Sequence, residues 1–234
     1  MKKIIRKIIE RFGYHLINKV DNPGTELIGD IKRFYRDDQD ILIFDVGANT
    51  GQSALSFTKS FPYSSIHSFE PTPKVFSILE KSVRDKKNIF PHNLACSSKD
   101  EKLQFNTSKT SVNNSVLSAN YLEGETIEVQ ACRLDTFCME NNCGDVNILK
   151  VDAQGYDLEV LKGANVLLDE NKIGVICIEL LLKEYYENQS SFEEIYIFLK
   201  NKGYRLYGLY ERWYDYNGID HCDGLFINSN LINA

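Results

Sequence analysis

Three stretches of the chain are apolar almost without a break: ILIFDV (41–46), VNILKV (146–151) and IGVICIE (173–179). A strand with one wet face alternates polar and apolar residues, whereas these runs read as parallel strands covered by helices on both faces. SIHSF (65–69) and residues 89–95 are two further strand candidates, and helix-patterned segments at about 52–60, 73–85, 156–169 and 191–202 fall between them. Alternation of this kind predicts a doubly wound α/β fold with a mostly parallel sheet and right-handed crossovers. At 234 residues a single core is within reach. Thr72-Pro73 marks one helix start, Ser191 with Glu194 forms a capping box for another, and Gly203 closes that second helix.

Two segments break the alternation. EKLQFNTS and ETIEVQACRL predict a β-hairpin inserted after the third strand, at about 101–134. YRLYGLYE and HCDGLFIN follow one another with no helix between, so the last strand is expected to run antiparallel to its neighbours.

The net charge of −6 argues against general nucleic-acid binding. Charge is concentrated at one end, where Lys2, Lys3, Arg6, Lys7, Arg11 and Lys19 oppose Glu10 alone. Ile5, Ile8, Ile9, Phe12 and Leu16 fall at helical spacing among them, so residues 1–20 read as a basic amphipathic helix. Such a helix can lie on an anionic membrane surface or pack its isoleucines on the domain. Charges interrupt every apolar run, so it reads as neither a signal peptide nor a membrane span. With the DNPG break that follows, residues 1–39 form a helix-and-linker unit ahead of a domain at 40–234. The six cysteines show no C-x-x-C pair or zinc spacing and are expected to be reduced thiols in the cytoplasm.

Ligands of open α/β sheets sit beyond the carboxyl ends of the strands. After the first strand comes Asp45-Val46-Gly47-Ala48-Asn49-Thr50-Gly51, after the second Glu70-Pro71, after the fourth Asp152-Ala153-Gln154-Gly155-Tyr156, and the fifth ends in Glu179. The first turn lacks the lysine of a phosphate-binding loop, and its glycines are one residue too close for one. Asn49 replaces the middle glycine of a dinucleotide fingerprint, and Asp45 would repel a pyrophosphate while suiting an ammonium. Glu70 lies 23 residues past Gly47, where a carboxylate accepts ribose hydroxyls. A ribose, a cationic amino-acid end and no phosphate describe S-adenosylmethionine.

DVGANTGQS, FEPTPKVFSILEK and LKVDAQGYDLEVLKGA, in this order, resemble the successive motifs of the FkbM-type S-adenosylmethionine-dependent methyltransferases. The similarity runs from about residue 40 to 228 and includes LDTF (134–137) and the final HCDGLFIN. It implies a seven-stranded Rossmann-like methyltransferase fold, order 3-2-1-4-5-7-6, and methyl transfer to a hydroxyl, commonly on a sugar or natural-product ring. Many relatives carry glutamate where Gln154 stands, which favours a polar contact over a base role for Gln154.

On this reading Asp45, Gly47, Gly51 and Glu70-Pro71 hold the cofactor. Asn49, Thr50, Gln52 and Ser53 supply donors to its carboxylate at a helix N-terminus. Ala95 and Cys96 lie near its adenine. Asp152 adjoins the cofactor and is the leading base for the acceptor hydroxyl. Glu179 is a second carboxylate on the same edge. The two would offer oxygens to a divalent cation if they converge, and no metal is assigned. His221 is a second base candidate. Residues 212–221 are expected to form a loop over the site, with Trp213, Tyr214 and Tyr216 stacking on an acceptor that Gln154 and Tyr156 also touch.

The expected activity is therefore O-methylation of a glycan or other small hydroxylated metabolite. Two alternatives are a nicotinamide-dependent oxidoreductase, disfavoured by the broken fingerprint, and a non-catalytic cofactor-binding module docking a partner or membrane. Methylation of nucleic acid lacks an N-P-P-Y-type motif after the fourth strand.

Overall fold

A computed structural model describes residues 11–12, 23–36, 38–108, 114–119 and 124–232. Apart from Arg11 and Phe12, the basic segment 1–20 lies outside the described residues. Among those described, no helix is long and apolar enough to cross a membrane.

The central strand is β1 (Ile41–Val46), flanked in parallel by β2 (Ser64–Phe69) and β7 (Val146–Val151). β3 (Ile89–His92) extends the sheet beyond β2, and β8 (Ile173–Leu181) extends it beyond β7. The sheet closes with the hairpin β9 (Tyr204–Asp215) and β10 (Gly218–Asn228). β10 runs antiparallel to both β8 and β9, and the order is β3-β2-β1-β7-β8-β10-β9. Counted along this sheet alone, that is 3-2-1-4-5-7-6, the mostly parallel, doubly wound arrangement expected.

Alternate residues of each buried strand feed two cores. Phe44, Val46, Leu149 and Val151 pack under Leu134 and Phe137 of α4 (Leu134–Glu140), Val160 and Leu161 of α5 (Asp157–Gly163), and Ile195 and Leu199 of α7 (Phe192–Asn201). On the opposite face Ile43, Ile148 and Val175 pack under Ile31 of α1 (Leu27–Ile31), Ala54 and Phe57 of α2 (Gln52–Ser60), and Leu79 of α3 (Pro73–Val83). The capping box at Ser191 is formed by both partners, and Gly203 takes φ +84° just past the same helix. Cys177 is a core residue, and all six cysteines are free.

Several boundaries differ from the sequence expectation. The third strand stops at His92 rather than 95, because the Asn93 side chain bonds the carbonyls of Glu70 and Pro71 and turns the chain. Ala95–Cys96 then becomes β4 of a second sheet. It lies parallel to β6 (Thr126–Cys132), which pairs antiparallel with β5 (Glu101–Asn106), so the inserted hairpin gains a third strand. The helix expected at 156–169 breaks at Ala164. The N–H groups of Val166 and Leu167 donate to Asp135 and start α6 (Asn165–Asp169) afresh. Thr72 occupies its N-cap position without a side-chain cap bond. The expected loop at 212–221 is instead mostly strand, β9 and β10 running on to a tight turn at Tyr216–Asn217. α8 (Ser229–Ile232) ends the described chain.

Close approach explains one glycine. A Cβ on Gly163 would stand 2.0 Å from the Ser97 carbonyl oxygen, which ties α5 to the loop after β4. Gly163→Ala is expected to lower unfolding free energy by about 1–3 kcal/mol in urea titrations. Gly144→Ala, with open space around its Cβ, should change little.

Candidate active site

The carboxyl ends of β1, β2 and β7 are stitched together by main-chain bonds. Gly47 and Ala48 both donate to the Phe69 carbonyl at 3.0 Å, and the Asp152 N–H donates to Val46 at 3.1 Å. Gly47 takes φ +75°, and a Cβ there would lie 1.9 Å from the Asp152 carbonyl oxygen. Only glycine lets these two segments approach so closely. Asn49 (φ +48°) and Gly51 (φ +97°) complete the turn and lead into α2.

A cavity of about 290 Å³ opens against this stitch. Gly47, Asn49, Glu70, Pro71, Ala95 and Cys96 line it together with Asp152, Gln154, Tyr156 and Glu179. Phe105, Asn114 and Val116, contributed by the inserted segment, complete its wall.

Other expected residues lie elsewhere. Asp45 is fully buried, and among the described residues neither of its carboxylate oxygens has a hydrogen-bond partner. Lys150 Nζ lies 3.8 Å from it. Thr50 and Gly51 do not line the cavity. Gln52 and Ser53 line a second cavity of about 360 Å³, between α1, α2 and the sheet, which also takes in Lys150, Glu179, Glu211 and Asp223. His221, Trp213, Tyr214 and Tyr216 line neither. Because β10 is paired at His221 with Leu181 of β8, the hairpin continues past the end of β8 instead of folding over the edge. Trp213 stacks on His221 with ring centroids 5.8 Å apart, and His221 Nδ1 lies 3.1 Å from Asp220. Tyr214 and Tyr216 are exposed.

The carboxylates at the strand ends converge. Gln154 Nε2 donates to Asp152 Oδ1 and to Glu179 Oε2, both at 2.9 Å, while its Oε1 accepts from Tyr186 at 2.7 Å. These three bonds leave the Gln154 amide little capacity for an acceptor molecule. Tyr156 is bonded to Ser97 at 3.1 Å. Among the described residues no group of three or more His, Cys, Asp or Glu is placed to hold a metal ion.

Burial sets the proton affinities. It pushes Glu70 up to about 7 against the opposing Thr72 and Asn49 hydrogen bonds. Asp157, which accepts from Ala153 and Gly155, is likewise pushed up to about 7. Burial and the Asp152 charge raise Glu179 to about 9 and Asp223 to about 6. Burial also raises Asp45. Asp152 is the exception: burial opposes its charge, but Lys150, 3.0 Å away, together with bonds from Gln154 and Glu179, holds it below the usual carboxylate range.

Lys150 and Asp223 were not singled out from the sequence. The signal was present, because a charge within a strand buried on both faces needs a partner. Phe105, Asn114 and Val116 carried no such signal, since only the insertion's fold brings them here.

Raised acid pKa values mean that the folded chain binds protons more tightly than the unfolded chain. Stability from these groups is complete below their unfolded values, near 4, and is lost as pH rises through 7 to 9. Burial lowers His67 and takes His92 down to about 4, so their contribution has the opposite sign and fades above the ordinary histidine value. The melting temperature of the ligand-free protein is therefore expected to fall between pH 7 and 9, by on the order of 5 °C. Calorimetry showing a flat or rising melting temperature would contradict this assignment of charge.

A family model described as "Methyltransferase FkbM domain" matches residues 45–206. "Methyltransferase 1" of Beauveria bassiana is 28% identical over 70% of this chain and 72% of its own length. "Hexuronic acid methyltransferase AglP" of Haloferax volcanii is 30% identical over 54% of this chain; the match spans 51% of that protein, about half its length. "2-O-methyltransferase NoeI" of Sinorhizobium fredii is 24% identical over 64% of this chain and 67% of its own length.

Proposed function

The chain belongs to the methyltransferase FkbM domain family of S-adenosylmethionine-dependent enzymes, and on that premise we propose that it methylates a hydroxyl of a sugar, glycan or other small hydroxylated metabolite. The observation that carries the reading is a single cavity lined by both Glu70 and Asp152, beside a glycine whose missing Cβ lets the strand ends that carry the site approach closely. The names of the Haloferax and Sinorhizobium relatives support a sugar-like acceptor. The nicotinamide alternative lapses with the family assignment.

The residues present fit the methyl donor. Gly47 lets the strand ends close on one another beside the cavity, and Asp45 is a buried carboxylate with no hydrogen-bond partner among the described residues. When bound, S-adenosylmethionine supplies the activated methyl group together with positive charge at sulfur and nitrogen. Glu70 accepts from the ribose hydroxyls, Pro71, Ala95 and Cys96 border the adenine, and Asn49, in the turn ahead of α2, serves the amino-acid end. Asp152, held ionised, gives this edge the negative charge that a cationic ligand needs.

Asp152 is the group that removes the acceptor's proton, because Lys150 keeps it ionised while it lines the cavity. Proton removal matters because a sugar hydroxyl is a weak nucleophile. The walls from Phe105 and Val116 restrict water at the reacting centre. His221, facing Trp213 rather than the cavity, is the weaker base.

Incubation with methyl-labelled S-adenosylmethionine and pooled nucleotide sugars and glycolipids tests the proposal. Label is expected in at least one fraction. Asp152→Ala should slow transfer by about 100-fold or more, and Glu70→Ala should weaken cofactor binding by about tenfold. Cofactor binding with no transfer to any fraction would favour the non-catalytic alternative. Full transfer by Asp152→Ala would remove that residue as the base.

A further inference from the structure

Lys150 stands in register with Asp45 on β1 and with Cys177 on β8. Neighbouring residues in register on parallel strands leave the sheet on the same face, so Lys150 and Asp45 share one buried surface. Glu179, two residues beyond Cys177, projects on that face as well, and Asp223 of β10 is paired with it. Lys150 Nζ reaches Asp152 Oδ2 at 3.0 Å, closer than its 3.8 Å approach to Asp45. Among the described residues its salt bridges are to Asp152 and Asp45 and not to Glu179.

Gln154 holds the other side of the arrangement. It occupies the left-handed region at φ +51°, where its carbonyl accepts from the Ser115 hydroxyl at 2.8 Å. From there its amide turns back toward the sheet. An amide nitrogen carries two hydrogens, and here one goes to Asp152 and the other to Glu179. The buried Tyr186 donates to the amide oxygen and so fixes which end of the amide faces the carboxyl groups. Asp152 and Glu179 are thereby bridged through one amide nitrogen. Two carboxyl groups held on one donor repel each other when both are ionised, which favours a state with one proton on the pair.

We propose that Lys150, Gln154 and Tyr186 are positioning residues that hold Asp152 and Glu179 as a pair with one proton, the proton on Glu179 and the charge on Asp152. That Asp152 then takes the acceptor's hydroxyl proton rests on the function proposed above. In that step the acceptor O–H bond breaks, its proton joins Asp152, and the pair passes from one proton to two. One proton afterwards leaves to water, and the starting state is restored.

The neighbours that face the pair are consistent with this division. Asp45 from β1, Glu70 beyond β2, Asp157 at the start of α5 and Asp223 from β10 all disfavour a second negative charge. Glu211 and His221 act on the pair through Asp223. Lys150 opposes these acids, and its short contact is to Asp152. The direction of each shift agrees: Asp152 is held down, and Glu179 is pushed up to about 9.

The test is a carboxyl-carbon NMR titration of the full-length, ligand-free protein labelled at Asp and Glu, for wild type, Lys150→Met, Lys150→Arg and Tyr186→Phe. In wild type Glu179 should remain protonated to about pH 9 while Asp152 ionises below the usual carboxylate range. Lys150→Met should raise the Asp152 midpoint by about one pH unit or more, and Lys150→Arg should restore it. Tyr186→Phe, which frees the amide to turn, should shift the same midpoint by a smaller amount with little change in melting temperature. The acid limb of the pH profile of kcat/KM should move in step with Asp152 in each variant. Independent titration of both groups below pH 6 in wild type would overturn the pair. An Asp152 midpoint equal in wild type, Lys150→Met and Tyr186→Phe would overturn the positioning roles. If Lys150→Met does not fold, Lys150→Arg and Tyr186→Phe decide the matter. Absence of methyl transfer by wild type would count against the proposed function alone, since the titration needs neither cofactor nor acceptor.

Discussion

The contact between the Gly47 backbone and the Asp152 carbonyl is the constraint on which the site's arrangement depends. It joins the end of the central strand to the end of its neighbour, and the shared Phe69 carbonyl ties in a third strand end. With these three ends fixed, Glu70 and Asp152 line one cavity. A side chain at Gly47 would have to push two segments of main chain apart, so the cavity and the close packing of the strands share one cause.

Charge is the second organising fact. The carboxyl edge collects Asp45, Glu70, Asp152, Asp157, Glu179 and Asp223 with Lys150 among them. Burial opposes the ammonium charge of Lys150, but Asp152 and Asp45 outweigh it and keep the group protonated. Acids in such numbers cost stability in the empty protein, which is expected where a structure is arranged for a cationic ligand. The proposed methyl donor has that charge. The same crowding makes a one-proton Asp152–Glu179 pair a natural state of the site.

Most of the fold was legible because its main determinant is two-sided burial. ILIFDV, VNILKV and IGVICIE could be read as central strands since hardly any residue in them can face water. The strand-end positions of Glu70 and Asp152 were legible for a related reason: once the strands are known, the residues that follow them are too. What escaped depends on contacts distant in sequence. The break at Ala164 is made by Asp135, whose carboxylate accepts from the N–H groups of Val166 and Leu167 at a new helix start, and nothing local in LKGANVLLDE announces it. The hairpin past residue 212 was read as a loop because its exposed aromatic and charged residues lack an apolar face, yet main-chain pairing with β10 carries the strand onward. Gln154 was read as a contact for the acceptor, and its full set of bonds to Asp152, Glu179 and Tyr186 became visible only in three dimensions.

The measurement that tests the central claim most directly is a crystal structure of the protein with S-adenosylhomocysteine. The account predicts that the ribose hydroxyls lie within hydrogen-bond distance of Glu70, the adenine borders Ala95 and Cys96, and the sulfur lies beside Asp152. A ligand seated elsewhere, or one in the cavity with its ribose turned away from Glu70, would contradict it.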